Sequence, residues 1–158
     1  EIFITVDGVP LKGAIDKIII DHNKKRIIAI DYKTSSNALE FKESAKKYNY
    51  WRQGAFYLFL IENWMREKGF EDYELKPFIF LVISTTKTNH NFLYRLSEKD
   101  VEIAEFGGRF YNGEFKKGWR TIISEINELQ TIGDWTYPYE VISSKGFMEL
   151  DIFNNDTQ

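Results

Sequence analysis

Two β-branched runs, Ile18-Ile19-Ile20 and Ile27-Ile28-Ala29-Ile30, stand on either side of a polar segment, Asp21 to Arg26. That pattern reads as a β-hairpin with a short loop. Each arm also carries an aspartate in apolar surroundings. Asp16 lies in Gly13-Ala14-Ile15-Asp16-Lys17, and Asp31 opens Asp31-Tyr32-Lys33-Thr34. A carboxylate is disfavoured on a strand and expensive to desolvate, so two on neighbouring strands call for a reason. A shared metal ion supplies one. Side chains alternate along a strand, which puts Asp31 and Lys33 on one face. In an antiparallel pair Asp16 is expected across from or diagonal to Asp31, within reach of the same cation. The Lys33 ammonium would then stand beside the metal-bound water.

Charge is distributed unevenly. The formal net charge is −3, yet residues 12–52 hold ten Lys or Arg against five Asp or Glu. A basic stretch built around a carboxylate pair suits a phosphodiester substrate, although the same charges also describe an ordinary solvated surface. The chain has no cysteine, which excludes disulfides, thiolate metal sites, iron–sulfur clusters and a Cys nucleophile. No apolar run approaches the roughly 20 residues of a membrane span. A length of 158 residues fits one domain with a real core. Because the chain begins at Glu1 and not at Met, it is expected to be part of a longer protein.

Along the chain, Ile2 to Val6 reads as a strand and Asp7-Gly8-Val9-Pro10 as a turn. Leu11 to Ile20 and Arg26 to Lys33 complete a meander of three strands over residues 2–33. Asn37 and Glu40 have the spacing of a capping box for a helical region reaching Lys68, ended by Gly69 and with a break near Lys46 to Asn49. Pro77 to Ser84 and Asn91 to Leu96 are two further strands. Ser97 to about Leu129 reads as a long helix opened by Ser97 with Asp100, interrupted at Gly107-Gly108 or Gly113. Residues 130–158 have no clear period and are expected as an irregular cover. The whole is α/β, with a mixed central sheet made of the meander and the two later strands, flanked by helices.

A second constellation lies in the helical region. Lys42, Lys46, Asn49, Gln53 and Tyr57 form one stripe if that helix is continuous. Gln53 sits among apolar residues and needs a partner, for which Tyr57 one turn on is suited. An amphipathic helix with a wet Gln–Tyr face fits the same residues.

Together these residues resemble a family. Gly13-x-x-Asp16, Asp31-x-Lys33-Thr34 and Tyr50-x-x-Gln53-x-x-x-Tyr57 look like the PD-(D/E)XK nuclease superfamily. More narrowly they resemble its RecB-like branch and the phage-type exodeoxyribonuclease VIII group, whose helix is similar to Tyr48-Asn49-Tyr50-Trp51-Arg52-Gln53-Gly54-Ala55-Phe56-Tyr57. Acid-x-Lys alone has no weight, since Glu40-Phe41-Lys42, Glu74-Leu75-Lys76 and Glu114-Phe115-Lys116 match it too. The order and context of the three motifs carry the resemblance.

What the resemblance implies is a restriction-endonuclease-like core and a cytoplasmic, metal-dependent DNA exonuclease of phage or prophage type, active in recombination or repair. Asp16, Asp31 and the carbonyl of Tyr32 would hold one or two Mg²⁺ or Mn²⁺ ions. Lys33 would orient or deprotonate the water, and Gln53 and Tyr57 would brace the site or touch DNA. Lys42, Lys46 and Arg52 would contact phosphates. DNA is the implied partner, with further copies of the chain or a recombination protein beside it. The branch usually adds a histidine ligand on a helix upstream of the first strand, a position that would precede Glu1, so the chain is expected to lack an N-terminal helical part. Ile15-Asp16 stands where the family's Pro-Asp is found. A non-catalytic DNA-binding or assembly module on the same fold is the alternative.

Overall fold

In the computed structural model, the described residues are all but 7, 87–89, 111 and 146–158. They fall into two compact units, Glu1–Glu105 and Phe106–Gln158. The first unit opens with β1 (Ile2–Val6) and β2 (Val9–Gly13), a two-stranded antiparallel hairpin turning at Gly8, whose φ of +82° is left-handed. Val9 and Pro10 already belong to β2, and Asp7 of the expected turn lies outside the described residues. The expected strand from Leu11 to Ile20 is in fact two. Ala14 and Ile15 leave the strand, Asp16 sits in a bend, and β3 (Lys17–Asp21) then starts in a different sheet. The three-strand meander is therefore replaced by a separate hairpin followed by the first pair of the central sheet.

That pair matches the sequence pattern closely. β3 runs antiparallel to β4 (Arg26–Ser35), with Asp21 opposite Arg26 and Lys17 opposite Ile30. Ile27, Ala29 and Asp31 of β4 are buried while its alternate residues are more open, so the period of two is visible in burial. A 3₁₀ turn at Ala38–Glu40 follows, then α1 (Phe41–Lys47) and α2 (Tyr50–Glu67). The capping box expected of Asn37 and Glu40 does not form: Thr34 and Ser35 extend β4, and neither Asn37 nor Glu40 makes a side-chain cap bond. Helices α1 and α2 are divided at Tyr48 and Asn49, the latter left-handed at φ 56° and ψ 33°, a conformation asparagine tolerates. Gly69, also at positive φ, closes α2 as expected.

β5 (Glu74–Leu75) and β6 (Ile79–Ser84) both pair in parallel with β4, and β7 (Asn91–Arg95) pairs antiparallel with β6. The central sheet thus has the order β3-β4-β6-β7 with β5 also on β4, and is mixed. Ser97 caps α3 (Glu98–Phe106) reciprocally with Asp100: the Asp100 N–H donates to Ser97 Oγ at 3.1 Å and Ser97 Oγ donates to Asp100 Oδ2 at 2.7 Å.

The expected interruption near Gly107 is more than a gap. In the second unit β8 (Gly107–Arg109) and β9 (Phe115–Lys117) form a hairpin before α4 (Trp119–Ile132), so the long helix is a helix, a hairpin and a helix. Gly107 at φ +93° permits that turn out of α3. Of the C-terminal residues expected to be irregular, 139–143 form the short α5 (Tyr139–Ser143), and 146–158 lie outside the described residues.

In the first unit, α2 packs at close range on Phe78, Phe80 and Leu96. A Cβ on Gly54 would stand 2.7 Å from Leu96 Cδ1 and 2.9 Å from Phe78 Cδ1. On the hairpin side, a Cβ on Gly13 would stand 2.3 Å from Leu60 Cδ1 and 3.1 Å from Tyr57 Cε1. Both glycines set how near α2 can come to its neighbours. Gly54→Ala gains up to about 1 kcal/mol of helix propensity but overpacks by about 1–3 kcal/mol. A net loss of up to about 2 kcal/mol is expected in urea unfolding, and a raised midpoint would contradict this tight seating.

Candidate functional site

The site is built on the open end of β4. The β3–β4 ladder ends at Lys17 and Ile30, and beyond it the chain of Ile15 and Asp16 has turned away. There the Asp16 carboxylate takes over from the ladder: the Tyr32 N–H donates to Asp16 Oδ2 at 2.8 Å. The N–H and C=O of one strand residue point to the same edge, so the Tyr32 carbonyl faces the Asp16 side as well. Asp16 thus lies next to Asp31, as the spacing implied, but from a bend and not from a strand.

Asp31 is 3% exposed. Its Oδ2 is 2.7 Å from Lys33 Nζ, an ion pair that misses the direction of a hydrogen bond, so this buried oxygen has a charge beside it but no aligned donor. Burial holds the Asp31 carboxyl above the ordinary carboxylate range; the Lys33 ammonium opposes the rise and the nearby Asp16 charge adds to it.

The same acid-x-Lys ion pair forms at Glu74–Lys76 and Glu114–Lys116. Those glutamates keep 66% and 51% of their side-chain surface exposed, against 5% for Asp31. Exposed pairs of that kind contribute little. Burial is what singles out Asp31.

Lys33 is held from three sides. Besides Asp31, its Nζ donates to Gln53 Oε1 at 3.1 Å and lies 4.3 Å from the centre of the Tyr50 ring. Gln53 in turn donates through Nε2 to the Tyr57 hydroxyl at 3.1 Å, which fixes the orientation of its amide. Tyr50 stacks on the buried Phe41 at 5.8 Å, and Phe41 lies 5.2 Å from Tyr94, whose hydroxyl reaches the carbonyls of Ala38 and Leu39.

Asp16, Asp31, Lys33, Gln53 and Tyr57 are therefore brought together, and Tyr50 joins them. Its place over Lys33 depends on the α1–α2 break, which periodicity does not locate to the residue. The remaining candidates are arranged differently. Lys42 and Lys46 belong to α1, so the expected five-residue stripe is not one helix face; Lys46 pairs with Glu43 at 2.9 Å. Arg52 is half-buried with its guanidinium 5.0 Å from the Trp51 ring, and burial lowers its pKa. Being next to Gln53, it points about 100° round the helix from it.

Among the described residues no cluster of three or more His, Asp or Glu side chains suited to a metal is present. Two carboxylates and a carbonyl nevertheless fit one class of ion. A small hard divalent cation keeps much of its water and is commonly held by one or two carboxylates, with substrate phosphates completing the shell. The buried Asp31 oxygen without an aligned donor, next to the Asp16 charge, fits such an ion.

The family model for the PD-(D/E)XK nuclease superfamily matches residues 1–133. Neither a curated protein nor a solved structure matches the chain. The mixed α/β class and mixed central sheet accord with the restriction-endonuclease-like fold of that superfamily.

Ligand-linked stability tests the cation reading directly. At a concentration of Mn²⁺ or Mg²⁺ a hundredfold above its dissociation constant, the folded state should gain ~2.7 kcal/mol, seen as a rise in melting temperature. Asp16→Asn keeps an acceptor for the Tyr32 N–H, and Asp31→Asn keeps the side-chain shape; both should abolish most of the rise. An undiminished rise in both variants would show that the ion binds elsewhere. The rise should also fade on acidification, because a proton on Asp31 displaces the cation.

Proposed function

Because the chain belongs to the PD-(D/E)XK nuclease superfamily, we propose that it hydrolyses DNA phosphodiester bonds in a Mg²⁺-dependent reaction. The observation that carries this reading is the buried Asp31–Lys33 pair, with Asp16 beside it and Gln53 behind it. A lysine paired with a buried carboxylate and braced by Gln53 suits a phosphate in attack by water. The exonuclease assignment, and a phage-type role in recombination or repair, rest on the resemblance of residues 48–57 to the exodeoxyribonuclease VIII helix.

Asp16, Asp31 and the Tyr32 carbonyl would hold the ion. An ion held there would supply charge for the scissile phosphate and would make a water acidic enough to attack at neutral pH. Lys33 has three donors, one of which goes to Gln53, while its ion pair with Asp31 uses no aligned N–H, so donors remain for a water or a phosphate oxygen. In this reading Lys33 orients the attacking water and stabilises charge growing on the phosphate. Gln53 and Tyr57 hold the ammonium in position and do not ligate the ion. Lys42 and Lys46 are proposed as contacts to the DNA backbone, with half-buried Arg52 at the rim.

Lys33→Met is the decisive variant. It keeps a long unbranched side chain and removes the ammonium, so Ca²⁺-supported DNA binding should stay close to parent. Degradation of linear DNA in Mg²⁺ should fall by ~10²–10⁴-fold. Equal degradation by parent and variant would remove Lys33 from the mechanism, and DNA binding without cleavage by the parent would favour a non-catalytic module.

Gln53→Ala separates bracing from ligation. Its cation-induced melting shift should match parent while the cleavage rate drops, with kcat falling more than KM rises. Loss of the melting shift would instead make Gln53 part of the metal site.

A further inference from the structure

The corner between α1 and α2 holds an aromatic side chain that the proposed chemistry does not use. Tyr48 is 56% exposed. The left-handed Asn49 turns the backbone just after it, so Tyr48 stands outside both helices. Its ring lies 5.6 Å from the Tyr50 ring, and the Tyr50 ring lies 4.3 Å from the Lys33 ammonium. On Tyr48 itself, Lys47 places its ammonium 5.3 Å from the ring centre. An exposed ring, a basic side chain laid over it, and a short path to the candidate catalytic lysine occur together at this corner.

We infer that this corner is a subsite for an unpaired nucleobase, so that the strand to be cut is taken up single-stranded. The inference rests on the nuclease reading and adds a substrate class to it. Tyr48 stacks a base close to the scissile phosphate, its ring being joined to Lys33 through the ring of Tyr50. Lys47 exchanges the ring for the phosphate of that nucleotide, which frees the face on which the base lands. Flat aromatic surfaces combined with basic side chains bind single strands without sequence preference, because every base has a π face. A paired base inside a duplex has both faces occupied by its neighbours and cannot use such a platform.

The experiment compares the full chain with Tyr48→Ala and Tyr48→Phe. It measures binding in Ca²⁺ to a labelled single-stranded oligonucleotide and to a blunt duplex, and cleavage of both in Mg²⁺. Tyr48→Ala should weaken single-strand binding roughly tenfold, with a smaller loss on blunt duplex, and Tyr48→Phe should restore it. A mutation-free arm moves one abasic nucleotide along the single strand. One position should reproduce the loss in the parent and make no further difference to Tyr48→Ala, as expected when both changes remove one contact. Equal losses on the two substrates, or no sensitive abasic position, would overturn the subsite. If the parent still cleaves DNA in that case, only the subsite fails. If the parent neither binds nor cleaves DNA, the nuclease reading falls with it.

Discussion

A carboxylate that is 3% exposed on a central strand is the constraint around which the first unit is arranged. Left alone, the charge of Asp31 would be strongly unfavourable, and its carboxyl is held above the usual range by burial. Lys33 offsets part of that penalty from two residues along the same face. Lys33 itself would be poorly placed in a half-buried position without Gln53 and Tyr50. Gln53 depends on α2 lying close against β6, which depends on Gly54 having no side chain. Each step outward from Asp31 thus explains a residue that would otherwise look like a poor choice for its element. A glutamine on an apolar helix, a glycine in mid-helix and a lysine in a buried strand are all consequences of one buried charge.

Much of this was legible in the sequence because it follows from local periodicity. The hairpin of β3 and β4, the shared face of Asp31 and Lys33, and the Gln53–Tyr57 contact depend on spacings of two to four residues within one element. What spacing cannot show is where a run of similar residues changes direction. Leu11 to Ile20 reads as one strand, since Ala14 and Ile15 add no turn signal between the two apolar stretches, yet the chain leaves one sheet and enters another there. Asp16 reaches Asp31 because of that departure. If β3 continued as a strand past Lys17, a backbone partner would meet Tyr32 and no carboxylate would be available at its N–H.

The contact of Tyr50 with Lys33 and the role of Gly54 were hidden for a related reason, although Tyr50 itself stands in the family motif. Their roles depend on the angle and distance of α2, which are tertiary quantities. The glycine within a helical pattern was the one available signal, since an isolated glycine in mid-helix usually reflects a close approach. The Gly107-Gly108 pair was similarly readable as a break but not as a hairpin, because the partner strand at Phe115–Lys117 has no alternation of its own to announce it. The Asn37–Glu40 spacing misled because the chain makes a 3₁₀ turn at Ala38–Glu40 and α1 starts only at Phe41, so Glu40 is not in the third position of a helix capped by Asn37.

The parallel pairing of β4 with β6 has a consequence for the order of events during folding. The β3–β4 hairpin is local and can close as soon as its residues exist, whereas Asp31 meets Phe80 only after a separation of about fifty residues has been closed. Burial of Asp31 is tied to that later step, since Phe80 of β6 is its neighbour across the parallel ladder. On a ribosome the acidic pair would therefore emerge early, yet remain hydrated and without its bracing until residues beyond Ser84 had been made. A nascent or locally unfolded chain would expose the carboxylates without an oriented lysine, so the proposed cutting function would be confined to completed molecules by topology alone.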